Sequence, residues 1–100
     1  MYVTMNLSGR VASWNLLTNK PGKSVKTGDA ARSLAISADG SSLYVVNFKS
    51  DTMSRVRTSD MKVTQNIKVC NEPIGITYDV LTGNTWVACY KGQIKIFSNN

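Results

Sequence analysis

Six carboxylates, twelve basic side chains, two cysteines and a large stock of serines are the reactive groups of this 100-residue chain, which has no histidine. The commonest general base and the commonest metal ligand are therefore both missing. Cys70 and Cys89 are too few for a cysteine-only zinc site, which needs about four ligands, and they do not form a Cys-x-x-Cys pair. A disulfide between them needs an oxidising compartment; the reading favoured here is two unlinked buried thiols. Asp51 and Asp60 sit in turns flanking one strand-like segment. That places them at opposite ends of it, out of reach of each other as a general acid/base pair, and assigns them to turn capping. Gly22-Lys23-Ser24 has the last residues of a phosphate-binding loop but lacks the upstream glycine and a following helix, so it reads as a turn. The serines lie in no Gly-x-Ser-x-Gly motif. No catalytic residue, metal site or cofactor is assigned.

Those groups are positioned by a repeat. Tyr2-Val3, Tyr44-Val45 and Trp86-Val87 are spaced by 42 residues. In the same register Ser8 falls on Ser50, Lys20 on Lys62, Lys26 on Lys68, Val11 on Met53, Val25 on Ile67 and Leu34 on Ile76. The third copy is one residue shorter after Tyr90 and resumes at Ile94 and Ile96. A fixed period with few identities and a persistent apolar pattern marks a diverged structural repeat. Within each copy hydrophobicity alternates with a period of 2, as in a strand, and no stretch has a convincing helical pattern. Gly, Asn, Asp and Ser clusters part the segments. The spacing predicts an inner strand over Ser33–Ser37, a bulky second strand over Leu43–Phe48, a third over Met53–Thr58 and a polar outer strand over Lys62–Val69.

Four short antiparallel strands in about 40–45 residues are the signature of a β-propeller blade. The fold class is all-β, with propeller blades of four antiparallel strands in pieces of 1–29, 30–71 and 72–100. About ten strands are expected, with one missing from each outer piece, so the ring is incomplete. Tyr44 and Trp86, at one repeat position, should pack between blades, whereas Trp14 lies on a third strand.

Tyr44-Val45-Val46-Asn47, the preceding Ser37-Ala38-Asp39-Gly40 turn, Pro73-Ile74-Gly75-Ile76 at the start of the next unit and Thr58-Ser59-Asp60-Met61-Lys62-Val63 resemble the YVTN/YncE-like repeat family of β-propellers. Met5 and Cys89 replace the asparagine in the outer copies, and Ala38 replaces the usual proline. Asp39-Gly40 suits a tight turn with positive φ, and Asn47 suits a bond to neighbouring backbone at a strand end. The resemblance implies a periplasmic, secreted or cell-surface setting. It also implies ligands over the central channel, on loops leading into inner strands, where Arg32, Asn71 and Glu72 are the candidate binding residues.

The function expected is a non-enzymatic scaffold that binds a protein or glycan through its loop face. The alternative is part of a propeller enzyme, lyase- or dehydrogenase-like, with catalytic groups elsewhere. Remaining blades of the same protein, or identical chains, should complete the ring. Met1 leads straight into a strand-like segment, which favours a piece of a longer polypeptide. The net charge of +6 comes from basic residues scattered singly, the habit of a solvated surface rather than of a nucleic-acid or lipid-binding arm. No apolar run approaches the roughly 20 residues of a membrane span.

Overall fold

The structure, a computed structural model, describes residues 1–98; the last two residues of the third expected blade piece lie outside them. Ten strands follow one another: β1 (Tyr2–Met5), β2 (Arg10–Asn15), β3 (Lys20–Lys26), β4 (Ala31–Ile36), β5 (Ser42–Asn47), β6 (Thr52–Arg57), β7 (Lys62–Lys68), β8 (Pro73–Asp79), β9 (Asn84–Cys89) and β10 (Ile94–Ser98). They form three antiparallel sheets, β1-β2-β3, β4-β5-β6-β7 and β8-β9-β10, each a meander of sequential neighbours. The middle sheet is a complete four-stranded blade, and its strands match the four expected segments to within two residues at each end. No helix among the described residues is long and apolar enough to cross a membrane.

Burial follows strand position. Every residue of β5 is buried, while β7 is mostly exposed. Alternate β5 side chains serve opposite faces because successive residues of a strand point to opposite sides. Leu43 and Val45 pack with Val11, Ala31 and Val56 toward the first sheet. Tyr44 and Val46 pack with Met53, Val87 and Cys89 toward the third. The Tyr44 and Tyr78 rings stack across that second junction, 6.0 Å apart. Trp86, the repeat counterpart of Tyr44, lies on the outer face of the third sheet and is 40% exposed. The inter-blade position expected for it holds for Tyr44; over Trp86 the described residues place no sheet.

The repeat is visible in the backbone. Left-handed residues recur 42 apart: Gly9 (φ 66°) with Asp51 (57°), Asn19 (55°) with Met61 (52°), and Ala30 (58°) with Glu72 (55°). The register shift at Ala31/Ser33 between β4 and β5 recurs at Pro73/Gly75 between β8 and β9. Gly22-Lys23-Ser24, expected as a turn, lies within strand β3. There Gly22 abuts Ser13 so closely that an added Cβ would overlap the Ser13 hydroxyl.

Candidate functional site

Five loops share one face: the β1–β2, β5–β6 and β9–β10 turns and the β3–β4 and β7–β8 linkers that pass from one blade to the next. The linkers turn through the left-handed residues Ala30 and Glu72. The carbonyl of each then accepts a backbone bond from the following blade, Phe48 N to Ala30 O and Tyr90 N to Glu72 O, both 2.9 Å. The β5–β6 loop holds both linkers. Ser50 Oγ accepts from Asp29 N at 2.7 Å, and Asp51 Oδ1 accepts from Glu72 N at 2.9 Å. Asp51 therefore caps backbone across a junction. Asp60, at the far end of β6, pairs with Arg57 on the surface, which lowers the Asp60 pKa mainly through that hydrogen bond. As expected, the two carboxylates form no pair with each other.

The first junction is closed by a buried polar network. Asn47 is fully buried. Its carboxamide oxygen accepts from Thr27 Oγ1 at 2.8 Å, and its nitrogen donates to Thr52 Oγ1 at 3.1 Å and Ser54 Oγ at 3.0 Å. The Ser54 hydroxyl lies 2.6 Å from Asn66 Oδ1 and 3.1 Å from Thr27 O. The neighbouring-backbone role expected of Asn47 is thus replaced by side-chain bonds that reach across the junction. Gly28 is required for this: a Cβ there would stand 2.8 Å from Asn47 Cγ, closer than packed atoms tolerate.

The second junction is built from other chemistry at the same register. Residues 42 beyond Gly28 and Asn47 are Cys70 and Cys89, and these are joined in a disulfide with Cα atoms 6.2 Å apart. This overturns the reading of two unlinked thiols. The repeat brings the two positions into contact, and a covalent bond takes the place of the Gly28–Asn47 packing. Thr27 gives way to Val69. In the β9–β10 ladder Lys95 pairs with Val87, as Ser54 pairs with Val45 in β5–β6. Lys95 therefore occupies the place of Ser54.

The three candidate ligand residues divide between these junctions. The Arg32 guanidinium rests over the Phe48 ring at 5.0 Å, and its carbonyl accepts from Thr4 Oγ1 at 3.3 Å, all at the first junction. Asn71 and Glu72 belong to the second, where Asn71 is exposed and lines a cleft of about 370 Å³. Lys68, Lys91 and Lys95 line it too. Sequence reasoning passed over these lysines, although Lys26 and Lys68, and Lys49 and Lys91, keep the repeat spacing. Among the other aromatics, Trp14 is half-buried and its Nε1 donates to Asn19 Oδ1 at 3.2 Å, while Tyr90 is 68% exposed. No group of three or more His, Cys, Asp or Glu able to hold a metal occurs among the described residues.

The inner-to-second-strand turn on the opposite face explains the Asp39-Gly40 pair. Gly40 adopts φ 75°, and Asp39 Oδ1 accepts from Ser41 N, Ser41 Oγ and Ser37 Oγ at 2.7–3.0 Å. Those bonds, led by the Ser41 amide, stabilise the carboxylate and hold its pKa at about 2.

No family model and no curated protein matches the chain. Among solved structures it is similar to Kuenenia stuttgartiensis hydrazine synthase, at 26% identity and TM-score 0.87 over 91% of this chain and 27% of that one. It is also similar to the Myceliophteria thermophila Cps50 (Swd1) beta-propeller domain, at 16% identity and TM-score 0.82 over 94% of this chain and 30% of that one. U3-55K matches at 10% identity and TM-score 0.84 over 98% of this chain and 35% of that one. The chain thus spans 27–35% of the length of these structures. The neighbours are β-propeller proteins, and with ten antiparallel strands in three packed sheets this chain is a partial β-propeller.

Proposed function

We propose that the chain is the blade segment of a non-enzymatic propeller scaffold that binds a protein or glycan ligand through its loop face, with Arg32, Asn71 and Glu72 among the contacting residues. One observation carries this reading. The β5–β6 loop holds the linkers on both sides through Ser50 and Asp51, so the face is ordered before any ligand arrives. Pre-ordered loops spare the entropy that binding otherwise costs. Further blades, from the same polypeptide or from identical chains, complete the ring over the Trp86 face. The YVTN-type repeat remains our reading of the motifs, and the disulfide favours a periplasmic, secreted or cell-surface setting, where such bonds persist.

The test is proximity labelling in the native host, comparing the whole protein with its Arg32→Ala/Asn71→Ala/Glu72→Ala variant. One dominant protein or glycoprotein should be labelled by the parent and lost in the folded variant; equal labelling by both would sink the assignment. A second reading, part of a propeller enzyme with catalytic groups outside this chain, is favoured by the 26% likeness to hydrazine synthase. A cofactor absorption band or stoichiometric metal in the purified whole protein would favour it over the scaffold.

A further inference from the structure

Each junction carries a cleft on the loop face, and the two differ in charge. The first is lined by Lys26 and Lys49 together with Asp29. The second is lined by Lys68 and Lys91 with Asn71 in place of the aspartate, and by Lys95, which stands where Ser54 stands in the middle blade. The second cleft thus keeps both repeat-related lysines, loses the carboxylate and gains a third cation. We propose that it binds an acidic peptide segment of a protein partner. This rests on the reading of the loop face as the ligand surface, and it names the chemistry recognised there.

Three arguments converge. First, the single ion pair between side chains of the described residues joins Arg57 to Asp60, at the far end of β6 from this loop face, so none neutralises Lys68, Lys91 or Lys95. Three like charges around one cleft repel one another and focus a positive potential into it, and an anionic ligand relieves both effects. Second, lysine is a compact point charge on a flexible stem, suited to carboxylates arriving in variable geometry rather than to one rigid planar group. Third, the rest of the lining is mixed. The disulfide and Val69 give an apolar floor, while the amides of Asn71 and Gln93 offer donors and acceptors for peptide backbone. Among the described residues no aromatic side chain lines the cleft, so they offer no stacking platform of the kind single-stranded nucleic acid uses, which favours a peptide with carboxylates beside an apolar residue.

The probe is a fluorescent peptide of glutamates flanking one leucine, titrated against the whole protein by anisotropy at about 0.15 M salt. The expected result is saturable binding that weakens by roughly 10-fold or more in Lys68→Gln/Lys91→Gln/Lys95→Gln. Lys26→Gln/Lys49→Gln should bind like the parent. Circular dichroism confirms that both variants fold. No binding by the parent, or equal weakening in both variants, overturns the proposal. So does binding of a heparin fragment or a DNA duplex in place of the peptide. If the lysine variant keeps the peptide while the Arg32/Asn71/Glu72 variant loses its cellular partner, the acidic-peptide assignment fails and the loop-face function stands.

Discussion

The two blade junctions solve one packing problem with unrelated chemistry. Both join a linker to the second strand of the next blade, at positions 42 residues apart. The first does so with a glycine pressed against a buried asparagine whose carboxamide is bonded on both sides. The second does so with a disulfide. A buried amide satisfies a junction only while every partner is present, since an orphaned polar group in the interior costs more than a bond contributes. A disulfide asks nothing of its surroundings except geometry. Once Cys70 and Cys89 are joined, Val69 and Lys95 no longer need to be hydrogen-bonding partners. The difference teaches that the covalent junction frees its neighbours for other uses, and the lysine-lined cleft is what those positions became.

The largest expected effect comes from breaking the polar junction. Asn47→Ala removes the three side-chain bonds to Thr27, Thr52 and Ser54 and leaves a cavity where the buried carboxamide stood, and should destabilise the protein by about 3 kcal/mol in urea denaturation. A cost below about 0.5 kcal/mol would mean the network contributes little. Reduction, or Cys70→Ser/Cys89→Ser, opens a loop closed over a separation of 19 residues and should cost about 2–3 kcal/mol. Grafting the first junction onto the second sharpens the contrast. Cys70→Gly/Cys89→Asn alone should be no better than the serine pair, whereas adding Val69→Thr and Lys95→Ser should recover stability, because only then does the new amide find partners. If the two-residue graft already recovers it, the network is not a unit.

Gly28→Ala drives a Cβ into Asn47 and should cost about 1–3 kcal/mol, while Cys70→Ala in the reduced protein should be nearly neutral. Comparable melting temperatures for the two would erase the distinction between the sites. The smallest effect is at the turn opposite the loop face. The Asp39 pKa is lowered to about 2 from an ordinary 3.8. A lowered carboxyl pKa stabilises the fold above the unfolded value and loses that contribution as pH falls toward 2. Asp39→Asn should therefore lower the melting temperature slightly at neutral pH and flatten the acid limb below about pH 4, so that variant and parent converge as pH falls toward 2. An unchanged acid limb would remove Asp39 from the account.

Most of the architecture was legible in the sequence because it is written locally. Alternation in Leu43–Val46 and the Asp39-Gly40 turn signal structure within a few residues, and with the 42-residue spacing of Tyr2, Tyr44 and Trp86 they predict the four strands of the middle blade and about ten strands in all. What touches what across a junction is not local. Nothing near Asn47 in sequence announces that Thr27 and Ser54 will hold it, and its tetrapeptide suggested a backbone bond instead. The disulfide was readable only in hindsight. Its cysteines align with Gly28 and Asn47, but that those residues touch is a fact of tertiary structure. The same holds for the lysines, which look scattered along the chain and are gathered by the repeat onto one face. The reading of Gly22-Lys23-Ser24 as a turn failed because its composition suits a turn while its place in the register belongs to an outer strand.

The left-handed corners at Ala30 and Glu72 have a wider consequence. Two residues as unlike as alanine and glutamate take up the same backbone shape and offer the same carbonyl to the next blade. The corner is dictated by the main chain that grips it, and neither side chain is needed to form it. Such positions can be rewritten through descent without disturbing the architecture, so the exposed rim is where one lineage of blades can acquire new specificities while its interior stays fixed.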